Sequence, residues 1–302
     1  MTRSASLISL KKAYQEFLQG KNPNIQCLNV ELTNFCNLKC RYCILDNSRA
    51  KGFMDIRILE KIISEINNQL VSVKNIALHD AGESLLHPDL GEFLELLALS
   101  KHTNPSFPKI SIQTNGVLMT PLIRKIILKS NALDFVSFSI DGGNKKDFEH
   151  LRKGAIWEKV IKNIDDFISL NNKLGKKVAT GMTSISLGKP QYSPEFKKLV
   201  KKLDSFQSIV PHDWDGSKKF KDLKIKKESK KSFCHFIFNS LAIKWDGKVV
   251  ACCNDLNGRI IIGDFIKQSI KEIYFGPLRS AILLNMAKGQ RQENALCQNC
   301  TM

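Results

Sequence analysis

Apolar and polar positions along the chain fall into two alternating periodicities. Leu28, Val30 and Leu32 are separated by Asn29 and Glu31, the two-residue alternation of a strand running from Gln26 to Thr33. From Met54 to Leu70 the apolar residues Ile58, Leu59, Ile62, Ile63, Ile66 and Leu70 recur at steps of three and four, which predicts a helix with one buried face. The same alternation predicts strands at Asn75 to Leu78, Lys109 to Gln113, Asp134 to Ile140, Lys177 to Leu187 and Phe206 to Val210. Helices are expected near Pro88 to Leu99, Pro121 to Lys129, Trp157 to Leu170 and Pro194 to Leu203, with a short amphipathic helix between Leu7 and Leu18. Strands alternating with helices of this length mean βαβ units and a parallel sheet. Six strands are too few for a closed eight-fold barrel. The fold class expected is therefore α/β, a partial (βα)6 TIM barrel whose site lies at the C-terminal strand ends.

The pattern changes after a lysine-rich stretch. Leu241 to Lys244 and Lys248 to Ala251 flank Trp245-Asp-Gly247, a hairpin around an Asp-Gly turn. Helices around Ser269 to Phe275 and Pro277 to Lys288 follow, making a small C-terminal α+β domain. The expected organisation is an N-terminal extension over 1–25, a barrel over 26–215, a linker over 216–232 and a second domain over 233–302.

Composition narrows the class. With 302 residues, 43% hydrophobic and 25% charged, the chain is ordinary for a globular protein, and no apolar run approaches the length of a membrane span. Met1 to Leu18 lacks the basic start, apolar core and cleavage site of a signal peptide, so a cytoplasmic protein without membrane contact is expected. Nine cysteines in such a chain point to metal or redox chemistry before disulfides. The formal charge of +17 suits an acidic partner, although the lysines are densest at Lys218 to Lys231, where a solvated linker accounts for them. Aromatic interleaving of that run is limited to Phe220, and nucleic acid is not expected as a partner.

The chemistry is carried by Thr33-Asn-Phe-Cys-Asn-Leu-Lys-Cys-Arg-Tyr-Cys43, where Cys36, Cys40 and Cys43 follow the first strand in a C-x3-C-x2-C array. Three thiolates on one tight loop suit iron in a cluster or zinc, and a cubane cluster takes four ligands, which leaves one iron open. A zinc site pairs two short hooks, and no second hook follows in the next hundred residues. The spacing, with Tyr42 before the last cysteine, resembles the signature of the radical S-adenosylmethionine (radical SAM) enzymes. The resemblance implies that the open iron binds S-adenosylmethionine and that its reductive cleavage gives a 5'-deoxyadenosyl radical, which takes a hydrogen atom from substrate. A reductant such as flavodoxin or ferredoxin is implied too.

Further segments carry the same resemblance. His79-Asp-Ala-Gly-Glu-Ser84 is similar to the family's GGEP segment, with Gly82 and Glu83 matching and Ala81 and Ser84 departing, and it implies that Glu83 receives the methionine amino group. Gln113-Thr-Asn-Gly116, Ser139-Ile-Asp-Gly142 and His150-Leu-Arg-Lys-Gly154 also look like family segments. By that resemblance Ser139 and Arg152 are candidates for the methionine carboxylate, which an arginine can grip through two parallel hydrogen bonds, and Thr114 and Asn115 face the same pocket. His212 and Asp213, in Pro211-His-Asp-Trp-Asp-Gly216, are either substrate contacts and proton carriers or part of a capped loop packed on the next domain.

Cys234, Cys252 or Cys253, Cys297 and Cys300 fit a second four-thiolate site, for which the residues alone leave zinc and iron equally open. The order Cys, Trp-Asp-Gly, Val-Val-Ala-Cys-Cys, Ile262-Gly-Asp and Cys-x2-Cys is similar to the shortened SPASM, or twitch, domain, which implies an auxiliary 4Fe-4S cluster. The spacings look closest to the single-cluster dehydrogenases of aminocyclitol antibiotic synthesis, where Cys252 is the matching member of the doublet. The function expected is a radical SAM oxidoreductase that oxidises a hydroxyl of a small polar molecule, such as a sugar, nucleotide sugar or aminocyclitol, with the auxiliary cluster accepting the electron. The alternative is a peptide- or protein-modifying maturase that cross-links, epimerises or oxidises residues.

Overall fold

The computed structural model describes residues 3–20, 22–46, 48–186, 189–209, 234, 236–298 and 300. His212, Asp213 and the expected linker lie outside them. The first strand β1 (Cys27–Val30) is followed by α2 (Ile56–Asn67), β2 (Asn75–Ala77), α3 (Leu90–Thr103), β3 (Lys109–Thr114), α4 (Pro121–Ser130) and β4 (Phe135–Ser139). Then come α5 (Lys145–Leu151), α6 (Trp157–Lys173), β5 (Ala179–Ile185), α7 (Pro194–Val200) and β6 (Ser205–Ile209). β1 to β6 pair in parallel in that order, which is the partial barrel. An earlier helix, α1 (Arg3–Gln19), precedes them and is longer than the apolar spacing predicts.

Local chemistry starts each helix where the pattern places it. Asp55, Thr120 and Ser193 cap α2, α4 and α7 through their side-chain oxygens, and Pro121 and Pro194 sit at the first turn where no backbone donor is needed. Ile58, Leu59, Ile62, Ile63 and Ile66 of α2 are all buried. The seven-residue α5 was not expected from periodicity. It is started by Asn144, whose side chain accepts from the Asp147 amide.

The sheet does not end at β1. Beyond residue 234 the chain forms α8 (Phe236–Asn239), β7 (Ser240–Ile243), β8 (Lys248–Val250) and β9 (Ile261–Asp264), then α9 (Ile270–Tyr274) and α10 (Pro277–Ala287). β7 pairs in parallel with β1, Cys27 opposite Ser240 and Val30 opposite Ile243, and the antiparallel β8 and β9 extend the sheet to nine strands. On the outside, α1 packs on α10. The Phe17 ring lies 5.7 Å from Tyr274 and 5.3 Å from Phe275, and the fully buried Arg279 guanidinium stacks 3.8 Å from the Tyr274 ring centre. Arg279 also donates to the carbonyls of Tyr274, Ile237 and Phe238, so its charge is shared among backbone dipoles.

A buried ionic group joins barrel and C-terminal segment. Just after β1, the Glu31 amide still donates to the Ile243 carbonyl of β7 at 2.9 Å, while its side chain is fully buried and accepts two hydrogen bonds from Arg49, at 2.8 and 3.2 Å. Lys244, at the end of β7 and fully buried, sits between Glu31 and Asp80 and pairs directly with Asp80. The next residue, Trp245, donates its amide to Glu31 and lays its ring on Gly52, where a Cβ would stand 2.3 Å from the ring. Gly52→Ala is therefore expected to cost about 1–3 kcal/mol through overpacking. In a double-mutant cycle with Trp245→Ala, denaturant unfolding should recover most of that cost; additive losses would show that the ring is not what forbids the methyl.

Candidate functional site

The C-terminal ends of β1 to β5 open into one cavity of about 700 Å³. Cys36, Cys40 and Cys43 reach it from the loop after β1. That loop is closed at its base by its own polar side chains. Thr33 donates to the Gly52 carbonyl at 2.7 Å, while Asn34 donates to Ala50 and accepts from the Gly52 amide. Its far side is strapped to α5 and the turn beyond it, with the amides of Arg41 and Lys39 donating to the carbonyls of Leu151 and Lys153. Burial pushes the Cys36 thiol up to about 12 and also raises that of Cys40, where the Arg152 charge pulls the other way. A soft cation that binds these sulfurs must therefore displace their protons.

Gly82 brings the next strand end against the cysteine loop. At φ +80°, with an added Cβ only 2.4 Å from the Thr33 carbonyl oxygen and 2.6 Å from that of Phe35, the position admits glycine alone. Glu83 follows, buried, its amide donating to Phe35 and its carboxylate accepting from the Thr114 hydroxyl at 2.7 Å, the Asn115 amide at 2.9 Å and the Leu85 amide at 3.3 Å. Burial raises its pKa, and these donors oppose the rise. Asn115 reaches back to Asn37 in the cysteine loop at 2.8 Å.

On the other flank, Asp141 is fully buried and is the hub of a second network. It accepts from the Tyr42 hydroxyl at 2.6 Å and from the Ile185 amide at 2.8 Å, and it pairs with Arg152 Nε at 2.8 Å. The Arg152 guanidinium lies 5.8 Å from the Tyr42 ring centre, with Nη1 4.0 Å from Cys40 Sγ. Burial works against its charge, yet Asp141, Tyr42 and Cys40 together outweigh burial and hold its pKa above the usual guanidinium value. Ser139 accepts from Gln113 at 2.7 Å.

Thus Cys36, Cys40, Cys43, Tyr42, Gly82, Glu83, Thr114, Asn115, Ser139 and Arg152 all line the one cavity. Its remaining wall holds residues that sequence reasoning did not single out, among them Asn29, His79, Asp80 and Asn254, and also Cys253, which the sequence offered as a ligand of the second site. His79 Nδ1 is buried without a hydrogen-bond partner, and burial lowers the ring to about 4, so it is neutral at pH 7. Burial pushes Asp80 up to about 7 against the pull of Lys244, with Glu31 adding to the rise and Arg49 opposing it. Asp80 and Asp141 stood inside the motif segments, and a carboxylate at a barrel strand's C-terminal end was the signal that could have found them. Lys244 had no such signal.

A second, small pocket of about 20 Å³ is lined by Cys234, Cys252, Cys297 and Cys300 together with Arg291. Among the described residues no three His, Cys, Asp or Glu side chains close tightly enough on one point to hold a single ion. Four thiols around one small pocket are a soft-ligand set of the number a cubane cluster takes, and all nine cysteines are outside disulfides. Cys252 lines the four-cysteine pocket and Cys253 the large cavity, at a turn closed by the Asp255 amide donating to the Cys252 carbonyl at 3.0 Å, and the two thiols are hydrogen-bonded to each other.

Residues 30–203 match the model of the radical SAM superfamily. The chain belongs to that superfamily. Residues 234–301 match the SPASM iron-sulfur cluster-binding domain, so this radical SAM enzyme works with S-adenosylmethionine and carries iron-sulfur clusters in both parts. A GTP 3',8-cyclase from Peptoclostridium acidaminophilum is 30% identical over 152 residues, which are 49% of this chain and 44% of that protein. The chain spans less than half the length of the curated relatives it matches. Two solved structures share its fold. BtrN in complex with AdoMet and 2-DOIA is 17% identical with a TM-score of 0.62 over 93% of this chain and 94% of that one. Streptococcus suis SuiB bound to its precursor peptide SuiA is 18% identical with a TM-score of 0.66 over 96% and 73%. No described helix of the radical SAM chain is long and apolar enough to cross a membrane.

Removing the hub should show its weight. Asp141→Ala leaves the Arg152 charge buried without its carboxylate and is expected to destabilise the fold by about 3–5 kcal/mol. Urea unfolding checks this, and a loss within the scatter of surface substitutions would mean that Arg152 finds another partner.

Proposed function

We propose that this radical SAM enzyme oxidises a hydroxyl group of a small polar molecule, such as a sugar, nucleotide sugar or aminocyclitol. The observation that carries the reading is the shared wall between the two pockets. Cys252 lines the four-cysteine pocket, its neighbour Cys253 lines the main cavity, and Asn254 lines both, so substrate in the cavity sits one residue's thickness from an electron acceptor. When bound, the barrel cluster and S-adenosylmethionine supply the 5'-deoxyadenosyl radical, and the auxiliary cluster accepts one electron.

The chain's own residues supply the rest. Cys36, Cys40 and Cys43 hold the barrel cluster, and Cys234, Cys252, Cys297 and Cys300 hold the other. Glu83, anchored by Thr114 and Asn115, receives the methionine amino group, and Ser139 with Arg152 and Tyr42 receives the carboxylate side. Oxidation of an alcohol then removes a carbon-bound hydrogen atom to the deoxyadenosyl group, an electron to the auxiliary cluster and the hydroxyl proton to a base. Asp80 is that base. It lines the cavity, and its pKa near 7 makes it a proton acceptor at neutral pH. Neutral His79 offers Nδ1 to a substrate hydroxyl. The cation excess favours a substrate with acidic groups and an acidic flavodoxin or ferredoxin as reductant. Nine reduced thiols suit the cytoplasm.

A second reading is a peptide or protein maturase, favoured by the likeness to SuiB, which was seen with a precursor peptide. Incubation with deuterated polyols and aminocyclitols on one side and precursor peptides on the other separates the two, because deuterium appears in 5'-deoxyadenosine only with the true substrate class.

Anaerobic reconstitution should load about eight iron atoms per chain, falling to about four when Cys36, Cys40 and Cys43 are replaced by alanine. Cys252→Ala should alter the auxiliary cluster's spectrum and stop product formation while 5'-deoxyadenosine is still released, whereas Cys253→Ala should keep both clusters. If Cys253→Ala is the variant that loses the second cluster, the ligand moves by one residue.

Asp80 gives a pH signature. Below about pH 7 it takes up a proton and can no longer accept one, so product yield per 5'-deoxyadenosine should fall as the medium is acidified. Asp80→Asn should be uncoupled at every pH, and a flat ratio in the unaltered enzyme would remove Asp80 from the role.

A further inference from the structure

The four-cysteine pocket contains one charged side chain among its described lining residues, Arg291. It stands at the start of the short 3-10 turn Arg291–Glu293, just after α10, and is 2% exposed. Its Nη2 donates to the Cys300 carbonyl at 3.2 Å, which fixes the guanidinium beside the backbone of the last cysteine.

We propose that Arg291 is a positioning residue that sets the reduction potential of the auxiliary cluster, its sealed guanidinium stabilising the negative charge that arrives with the substrate's electron. A cluster held by four thiolates is already an anion, and taking up one more electron in a water-poor pocket is opposed by its own charge. A cation held inside the same low-dielectric pocket acts on the reduced form more than on the oxidised one, so it raises the potential. Arginine suits this task because it keeps its charge under burial that would neutralise a lysine. The electron balance needs nothing further: one electron leaves the substrate radical and one enters the cluster. The inference rests on reading the pocket as the auxiliary cluster's site.

The test uses full-length protein with Cys36, Cys40 and Cys43 replaced by alanine, so that only the auxiliary cluster is observed. Midpoint potentials are measured by EPR-monitored redox titration, with iron and sulfide assayed on the same samples. Arg291→Gln should lower the reduced-to-oxidised ratio at a fixed potential tenfold or more, which is 59 mV for a one-electron couple. Arg291→Lys, measured near neutral pH, should leave the ratio within about threefold of the parent. An unshifted potential in Arg291→Gln with iron intact overturns the proposal, as does an equal fall in both variants. Should Arg291→Gln fail to hold iron, retention by Arg291→Lys supports the charge assignment, and loss from both makes Arg291 a packing residue and overturns it. Zinc in place of iron in the parent protein rejects the cluster reading itself, whatever the Arg291 variants do.

Discussion

The constraint on which the rest depends is the ion group of Glu31, Lys244, Asp80 and Arg49, sealed where β1, β2, the cysteine loop and β7 meet. Two carboxylates and two cations leave water together, and isolated charges in that position would be prohibitively costly. Each of the four comes from a different stretch of chain, so the group forms only when all four stretches are in register. It sits where the chain leaves β1 for the loop that carries the cysteines, and it holds the C-terminal segment on the open edge of the barrel. Asp80 faces the cavity from within the same group, so the fold's clamp also forms part of the cavity wall.

The cavity is built on two further economies of space. Glycine at position 82 lets two strand ends approach until backbone touches backbone, and Asp141 ties the last turn of the cysteine loop, through Tyr42, to Arg152 and β5. Neither network lies in the core proper. Both take side chains that point out of the C-terminal strand ends and make them rigid by pairing them with each other, leaving the inner face of the sheet to Leu, Ile, Val and Phe.

Much of this was legible beforehand. The alternation around Leu28, Val30 and Leu32 and the helical stripe of Ile58 to Ile66 carry signals strong enough to place β1 and α2, and the cysteine spacing pointed to one wall of the cavity. What was not legible is long-range. Glu31 reads as the solvent-facing member of an alternating strand and is fully buried because Lys244 and Arg49 arrive from elsewhere. The Trp245-Asp-Gly247 hairpin reads as a local turn, and nothing in its own residues says that Lys244 beside it will be buried against Asp80. Arg291, four residues past the end of α10, has no periodicity at all.

The parallel pairing of β1 with β7 also bears on how the protein is made. β1 emerges early from the ribosome, and β2 can close one of its edges soon afterwards, but its other partner arrives some two hundred residues later. Contacts of that separation form late and slowly. Until then the cysteine loop hangs from a strand with a bare edge, with Arg49 on Glu31 but without Lys244, the cation that pairs with Asp80. The segment that carries the second group of cysteines thus also completes the edge of the strand from which the first cysteine loop hangs.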